Sequence, residues 1–587
     1  MKKLNTIVCS LALAMCGTSC TSLLDQNPQG IISDADLNAV GRVEQMVNAA
    51  YSFCGQNHFN KQFGMPYEEG SLRGGEAYKG ASGTNDNAER HLWETFVYMQ
   101  PTTTGDLDNL WWVHYVGVGR VHDALRRAQA LTTEEYPLRD QRIAELRFLR
   151  AHIYMYMKLC FKLFPWIDEN TPNDQYDKVS NDDLTDQQLW DKLIDDFRYA
   201  AATLPETQSE VGRPTCFAAK AYLAKTLLFS AYEQDEKHNV VNISKEKLQE
   251  VESLCADVMA HAGKQLVGDF AENFLCEYEN NSESIWAIQY SANNDGSPVG
   301  RNNSWLVYPI NDEYGCCGAF QPSVHMMNCF KTVNGLPDFE KFNEGKTLDN
   351  KEAFATIPMD PRLMHTACVP EMPWKYDPEY VMEKSWARTP EVYGYSMSQK
   401  LIVLPTCDCF RKTNPFMGSG LNWDVIRLDE VMLWRAEALI QLNRDLDTAL
   451  DLINRIRLRA AGSTGRLKFA DGTPTGKFDV DVYKPGVNCP ALTQEFAFKA
   501  LQWERHLEFA TEGKWFFDLV RWGVADRYMN DYFDVERTRR TYLKDAKFQK
   551  NRDEYFPIPQ TQISYVKGLY TLVSTKNFLV TSRLKIK

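Results

Sequence analysis

The sequence predicts a mainly α protein whose middle part is an irregular, loop-rich region with a few short strands. In residues 34–262 and 425–587, apolar side chains recur at spacings of three and four, which is typical of amphipathic helices. Between them, residues 263–424 are richer in proline and glycine, and residues 284–290 alternate as a strand does. Two helical regions flanking an irregular one are therefore expected.

The helical periodicity predicts individual helices at residues 36–51, 110–130, 138–164, 189–203, 215–232, 245–261, 427–442 and 446–460. Between the first two lies a long polar, glycine-rich segment, residues 57–100. Because most loops in folded domains are short, a loop of this length is usually functional or mobile. We expect it to contribute to a ligand-binding face.

Residues 503–523, with the sequence WERHLEFATEGKWFFDLVRWG, are the part of the chain richest in interleaved aromatic and charged residues. The apolar spacing predicts one helix that ends near Gly513 and a second short helix that ends at Gly523. Interleaved with the apolar residues are charged ones and a tryptophan that form a candidate structural motif: Glu504, Arg505, Glu508, Glu512, Asp518, Arg521 and Trp522.

The three glutamates of this motif are spaced four apart, so they lie along one face of a helix. Aligned carboxylates could bind a metal or act as an acid and base pair. We favour a structural ion-pair network in which Arg505 and Arg521 neutralise the glutamates. Structural networks of this kind can show the same pattern of charged residues as an active site. A structural role for the motif is therefore expected.

The same motif resembles the C-terminal signature of the SusD/RagB family, surface lipoproteins that capture nutrients for a TonB-dependent outer-membrane transporter. The matching groups are Glu504-Arg505, Glu508-Phe509, Glu512-Gly513, Asp518-Leu519 and Arg521-Trp522-Gly523, with Lys514 where arginine is commoner. In that family the motif is part of the scaffold. The resemblance implies a SusD-like fold.

Other segments extend this resemblance. Residues 145–154, 218–224 and 435–460 are similar to family helices, and their alanines imply tetratricopeptide-like helical hairpins as the scaffold. Trp111 and Tyr115 stand at family positions, but His122 replaces the usual asparagine. We interpret His122 as a hydrogen-bonded core residue rather than a catalyst.

The N-terminus predicts secretion and lipidation. Residues 1–19 have a basic start, a short apolar run and small residues, which together indicate a signal peptide. Cys20 follows as in a bacterial lipobox, so residues 20–33 would be a lipidated linker that holds the protein on outer-membrane lipid. No later segment is predicted to span the membrane, and residues 34–587 are expected to form one compact unit.

Composition excludes some partners. The formal charge is −13, and no basic run is present, which argues against nucleic acid. The twelve cysteines after Cys20 lack zinc spacing and are expected to be mostly buried thiols. No phosphate-binding, zinc-protease, nucleophile-elbow or EF-hand motif occurs. We expect no cofactor, no metal and no catalytic residue.

Ligand binding is expected in the irregular segments, since aromatic faces stack on sugar rings while polar side chains bind hydroxyl groups. The candidate ligand-binding residues are Tyr78, Asn85, Trp93, Trp305, Tyr308, Tyr314, Trp374 and Tyr376. The lack of a core-like periodicity around them makes exposure plausible for some. No sugar can be named from the sequence.

The resemblance implies a non-catalytic, surface-exposed lipoprotein of the outer membrane that binds a glycan and delivers it to a SusC-like TonB-dependent transporter. Two alternatives remain open. The same fold could bind a peptide or act as a helical interaction scaffold. A surface glycoside hydrolase needs only two carboxylates about 5 to 9.5 Å apart, which a sequence does not exclude.

Overall fold

The computed structural model describes residues 39–55, 57–58, 61–62, 66–97, 105–290, 307–412 and 417–570. The predicted signal peptide, Cys20 and Trp305 lie outside these residues. Among the described helices, none combines the length and the apolar character needed to cross a bilayer.

The first region is built from helices, most of them amphipathic, with the helix Cys216–Ala231 buried on nearly all sides. They are α1 (Val40–Cys54), α2 (Ala88–Thr95), α3 (Gly105–Gln129), α4 (Arg139–Phe161), α5 (Asp186–Thr203), α6 (Cys216–Ala231) and α7 (Lys245–His261). Polar caps fix several starts: Thr185 forms a capping box with Gln188 before α5, and Ser244 caps α7. The fully buried Ala218 and Ala221 let α6 approach its neighbours closely.

Consecutive helices of this region pack on one another. α1 contacts α3, and the contacts then run from α3 to α4, α5, α6 and α7 in chain order. This succession of helical hairpins matches the predicted scaffold. The segment between α1 and α3 is less irregular than its sequence indicates, because it contains α2, the π-helix Tyr67–Leu72 and the strand Ala77–Gly80.

Short elements make up the irregular region. Its helices are α8 (Val324–Asn328), α9 (Lys351–Thr356), α10 (Arg362–Thr366) and α11 (Pro390–Tyr393). The strands in the described residues form antiparallel pairs: Asn57–His58 with Lys61–Gln62, Ala77–Gly80 with Ala319–Pro322, Tyr232–Gln234 with Val240–Ile243, Ser284–Ile288 with Trp423–Arg427, Thr332–Val333 with Leu336–Pro337, Ala367–Cys368 with Met397–Ser398, Pro373–Trp374 with Asp377–Val381, and Phe410–Lys412 with Met417–Ser419.

The last region is again helical. It comprises α12 (Leu428–Gln441), α13 (Leu446–Gly462), α14 (Gln494–Phe509), α15 (Trp515–Arg521), α16 (Ala525–Arg539) and α17 (Gln560–Tyr565). α12 packs on α7, and α13 and α14 pack on α12, so the helical array continues past the irregular region. The predicted fold class, mainly α with helical hairpins and a few short strands, is confirmed.

Candidate functional site

The inner face of α14 carries a buried ion-pair network. Arg362 Nη1 lies 2.6 Å from Glu504 Oε1 and 2.7 Å from Glu508 Oε2, and its Nη2 lies 2.7 Å from Asp360 Oδ2. Arg457 adds a second contact to Glu504 at 3.1 Å, and Arg459 pairs with Glu508. All these side chains are buried. The arginines come from α10 and α13, so the network joins three helices.

The bend after α14 continues the network. Glu512 is paired with Arg427 Nη1 and with Lys400 Nζ, each at 2.8 Å. Arg505 binds Asp518 at 2.7 Å, and Arg521 binds Asp518 at 2.8 Å. The expected pairing of the glutamates with Arg505 and Arg521 is therefore wrong: those two arginines hold α15 through Asp518, while distant arginines neutralise the glutamates.

Trp522 completes this motif from the end of α15. Its indole Nε1 donates a hydrogen bond to Glu437 Oε1 on α12 at 2.9 Å, and Arg521 Nη2 lies 2.7 Å from Glu437 Oε2. Glu437 is fully buried, so these donors compensate its charge. The motif residues thus tie α14, α15 and α12 together.

These carboxylates are unsuited to acid and base chemistry at neutral pH. Burial would raise the pKa of Glu508, but Arg459 and Arg362 outweigh it and lower that pKa to about 2. Arg427 and Lys400 likewise hold the pKa of Glu512 below its ordinary value against the effect of burial. Oxygens of Glu283, Asp429 and Glu508 lie within 4.8 Å of one another, yet Arg459 already contacts all three carboxylates. Their geometry is that of a structural network.

The bend itself depends on two glycines. Gly513 has φ of +73°, and a Cβ there would lie 2.3 Å from the carbonyl oxygen of Pro66. A Cβ on Gly70 would lie 2.0 Å from the carbonyl oxygen of Gly513. The backbone of Gly513 also donates to Ser71 Oγ at 2.9 Å. Only glycine permits this approach of the segment after α1 to the motif.

Five of the candidate ligand-binding aromatics lie in the interior: Tyr78, Trp93, Tyr308, Tyr314 and Trp374. Trp374 Nε1 donates to Tyr314 Oη at 3.1 Å, and that hydroxyl donates to the carbonyl oxygen of Val403 at 2.8 Å. Tyr78 donates its hydroxyl hydrogen to Glu536. The sequence made exposure plausible for some of the candidates, but it is wrong for these five side chains, because the irregular backbone here still packs around aromatic side chains.

Asn85 is exposed, on the turn that follows the strand Ala77–Gly80. The irregular region holds this turn in place: Arg388 Nη1 lies 3.3 Å from Asp86 Oδ2, and Thr389 donates to the carbonyl oxygen of Ala81 at 2.8 Å. Asn85 therefore remains available to a ligand.

Tyr376 lines an open groove of about 750 Å³. Pockets of about 300 to 1,000 Å³ are typical of ligand sites. The groove is formed by four separate segments of the chain, and its described lining residues are Leu275, Cys276, Glu277, Lys375, Tyr376, Asp377, Pro378, Val403, Leu404, Thr406, Cys407, Asp408, Cys409 and Arg466. An aromatic ring and charges of both signs thus face one open space.

A strained turn presents Tyr376 to the groove. The strands Pro373–Trp374 and Asp377–Val381 are joined by Lys375 and Tyr376 alone, with φ of +47° and +70°. Two-residue hairpins of this kind favour asparagine and glycine, because other side chains are strained at positive φ. Each such residue costs roughly 1 to 3 kcal/mol, and strain of this kind is concentrated at functional sites.

Buried hydrogen bonds hold the turn in this conformation. Lys375 Nζ donates to the carbonyl oxygens of Gln399 and Lys400 at 2.8 and 3.1 Å. His365 Nε2 donates to the carbonyl oxygen of Ser463, so its Nδ1 accepts from the Tyr376 hydroxyl at 2.9 Å. Burial lowers the pKa of Lys375 to about 7. The turn is fixed at both of its residues.

The rim of the groove is polar. Glu277 and Asp408 are exposed. Arg466 lies 3.5 Å from Asp269 and donates to the Tyr278 hydroxyl at 3.0 Å, but about a third of its side chain is exposed. A second open cavity of about 990 Å³ shares Pro378 with the groove, so the two lie side by side. Together they offer a surface longer than one sugar ring.

Cysteines also line the groove. Cys276 and Cys409 form a disulfide, and the sulfur of Cys407 lies within 4.8 Å of both. Cys316 and Cys317 form a second disulfide. Six of the eight remaining thiols are buried, as expected for most of them. The sequence did not indicate which cysteines pair, since the partners are 133 residues apart in one case and adjacent in the other.

The interpretation of His122 as a hydrogen-bonded core residue is wrong. The side chain is buried, but neither ring nitrogen has a hydrogen-bond partner among the described residues. Burial and the neighbouring Arg150 and Arg126 lower its pKa well below the usual value, so the imidazole is neutral. A buried polar group without hydrogen-bond partners costs free energy.

Sequence reasoning missed the charged residues that line the groove, among them Lys375, Asp377 and Arg466. Lys375 and Asp377 flank Tyr376, Arg466 comes from a distant segment, and no periodicity marks them. The only local signal was the aromatic pair Trp374 and Tyr376 flanking Lys375. Of that pair, the structure buries one ring and presents the other to the groove.

The fold and site define a class: a protein of stacked helical hairpins that carries an irregular region with an open, polar and aromatic groove. Residues 282–573 match the SusD family. A SusD-like protein of Bacteroides ovatus is 24% identical over 472 residues, covering 78% of this chain and 76% of that protein. SusD-like protein P2 of Formosa agariphila is 22% identical over 577 residues, covering 96% of this chain and 97% of that protein.

Solved structures share the fold. Surface glycan-binding protein A from Bacteroides thetaiotaomicron, in complex with laminarihexaose, has a TM-score of 0.64 and 18% sequence identity, with 91% of this chain and 99% of that chain covered. The match of residues 282–573, the SusD-like relatives and the shared fold together support a SusD/RagB family protein.

Proposed function

We propose that the protein is a non-catalytic glycan receptor whose ligand contacts the groove beside Tyr376. The observation that carries this proposal is the strained two-residue turn, which presents an aromatic ring to an open polar groove. Similarity to the SusD family supports the ligand class, since a solved protein of the same fold is a glycan-binding protein in complex with laminarihexaose.

The chemistry of the groove suits an oligosaccharide. The face of the Tyr376 ring can stack on the apolar face of a pyranose, and the rim groups Asp377 and Arg466 can accept from and donate to hydroxyl groups. The adjoining cavity beyond Pro378 would receive further sugar units. Asn85 and Trp305 remain proposed contacts of the ligand, the second lying outside the described residues.

Delivery to a SusC-like TonB-dependent transporter is part of the proposal. Cys20 would be acylated and would anchor the protein to the outer membrane, with the receptor exposed at the cell surface. Binding without catalysis fits the motif carboxylates, because each of Glu504, Glu508 and Glu512 is engaged by cationic side chains.

Binding to a glycan array that includes laminarihexaose tests the ligand class, followed by calorimetry with each glycan retained on the array. Tyr376→Ala should weaken binding at least tenfold, while Tyr565→Ala, which removes an exposed tyrosine from α17, should leave it unchanged. The proposal fails if no glycan binds, or if both variants bind as the wild type does.

Two further measurements test the remaining parts. A tagged full-length chain, purified from its native membranes, should retain a TonB-dependent barrel, whereas Cys20→Ala should be released from the membrane fraction. Purified protein incubated with the bound glycan should yield no shorter products. Product release that a single aspartate or glutamate substitution abolishes would instead establish a glycoside hydrolase.

A further inference from the structure

A second pocket lies on the helical scaffold, on one side of α3. It has a volume of about 270 Å³, and Trp112, Tyr115 and His122 line it from α3. Tyr176 and Tyr570 close it from two other segments, and Asp177 stands at its edge. Since ligand pockets usually start at about 300 Å³, this one is suited to a single ring rather than a chain.

The buried His122 is the polar group of this pocket. Both of its ring nitrogens lack hydrogen-bond partners among the described residues, although the side chain is fully buried. A neutral imidazole has one donor and one acceptor nitrogen, so it can bind groups that both donate and accept, as hydroxyl groups do. A ligand with hydroxyl groups would relieve the cost of leaving these atoms unpaired.

The walls of the pocket are aromatic. Trp112 is 43% exposed as a residue, which is unusual for a tryptophan in a folded helix. The rings of Trp111 and Tyr570 lie 5.8 Å apart beside it. Neither lysine nor arginine occurs among the described residues that line the pocket, and the nearby Arg126 is already engaged by Asp123 and Tyr176. A neutral ligand therefore suits the pocket better than an anion does.

We propose that this pocket is a separate carbohydrate site that binds one neutral pyranose ring, with the sugar between the aromatic walls and its hydroxyl groups on His122. It does not depend on ligand binding in the groove beside Tyr376, because the two sites share no lining residue. A glycan held in the groove and a sugar unit held here would give the receptor two points of attachment.

The pocket contains a position that can be filled without disturbing the backbone. Gly119 lines the pocket, and a Cβ built on it has no atom within 4 Å. Leucine at this position should project into the pocket, and it favours the helix more than glycine does. Gly119→Leu is therefore a blocking variant that is expected to fold.

Saturation-transfer NMR on the full-length mature protein tests the site, with methyl β-D-glucopyranoside, methyl β-D-galactopyranoside and methyl α-D-mannopyranoside as separate probes. At least one probe should give a signal in the wild type and in Tyr376→Ala. Trp112→Ala and Gly119→Leu should lower that affinity at least tenfold, with melting temperatures measured to show that both variants are folded.

The proposal is overturned if none of the three probes gives a signal, or if the signal is unchanged in Gly119→Leu. It is also overturned if tryptophan amide binds and competes while the glycosides do not, since the pocket would then recognise an aromatic group. Loss of the signal in Tyr376→Ala, with Gly119→Leu unaffected, would assign the sugar to the groove instead.

Discussion

The buried network around α14 and the open groove beside Tyr376 use charged side chains in opposite ways. In the network, Glu508 and Glu512 are engaged by cations on several sides, and no part of them is free for a ligand. In the groove, Glu277, Asp408 and part of Arg466 face solvent. The first arrangement fixes helices, and the second leaves hydrogen-bonding groups available.

The two regions also differ in how they use residues with positive φ. Both regions contain residues with positive φ, namely Thr511 and Gly513 in the bend and Lys375 and Tyr376 in the turn. In the bend, glycine allows two backbone segments to pack closely. In the turn, a large aromatic residue occupies a position that favours glycine. In the turn, the unfavourable conformation occurs beside an open groove, whereas in the bend it accompanies close packing of two backbone segments.

The largest effect is expected from Glu508→Ala. Removing this carboxylate leaves the buried Arg362 and Arg459 with one partner fewer, so the free energy of unfolding should fall by about 3 to 5 kcal/mol. Glycan affinity of the folded protein should not change. Urea denaturation and calorimetry measure the two quantities, and Glu495→Ala, at an exposed position in the first turn of α14, is the matched control. Unchanged stability together with lost binding would indicate that the glycan binds at the network rather than in the groove.

The next largest effect should distinguish two neighbouring aromatic residues, one in the interior and one in the groove. Trp374 is fully buried, so Trp374→Ala should cost about 3 to 5 kcal/mol of stability. Tyr376→Ala should lose less stability but at least tenfold in glycan affinity. Thermal melting and calorimetry on the two variants provide the comparison. If Trp374→Ala keeps its stability and loses affinity, the assignment of interior and binding residues is reversed.

A smaller effect is expected from acid, which should reduce the contribution of the network to the free energy of unfolding. Because the pKa of Glu508 falls from about 4.5 unfolded to about 2 folded, its contribution to stability is fully present above pH ~4.5 and is lost as the pH falls toward 2. We expect the wild type to lose about 1 to 3 kcal/mol more than Glu508→Gln over this range. Urea denaturation at several pH values measures this difference, and parallel curves for the two proteins would contradict it.

The smallest stability effect is expected at the rim of the groove. The partly exposed pair of Arg466 and Asp269 should contribute no more than about 1 kcal/mol to stability. Arg466→Gln should therefore melt almost as the wild type does, while its glycan affinity falls severalfold. Arg444→Gln, which alters an exposed ion pair on the scaffold, serves as the control for affinity. Equal affinities in both variants would remove Arg466 from the site.

Much of the helical scaffold could be predicted because its signals are local. The prediction of 245–261 coincides with α7, whose start is fixed by the cap at Ser244, and α13 begins where predicted, after Asp445. The partners of Glu504 and Glu508 could not be predicted, since Arg362 is more than 140 residues away in the chain. Local spacing instead favoured Arg505, which lies beside them.

The candidate site was harder to predict for a related reason. The sequence around Tyr314 and Trp374 has no core-like periodicity, because their burial arises from contacts between loops, including the hydrogen bond to Val403. The groove is likewise a product of tertiary contacts. Of the candidate residues that the structure describes, only Tyr376 lines the groove, and its positive φ has no signature in the sequence.

The pairing of Ser284–Ile288 with Trp423–Arg427 brings the two ends of the irregular region side by side. The chain leaves the helical array and returns to it at almost the same place, so α7 and α12 pack as if nothing lay between them. The segment between the two strands is nevertheless not independent of the helices, because it carries Arg362 and Lys400, which neutralise Glu504, Glu508 and Glu512. Loops of this segment could therefore differ in length or sequence between receptors for different ligands only where these two cations keep their places.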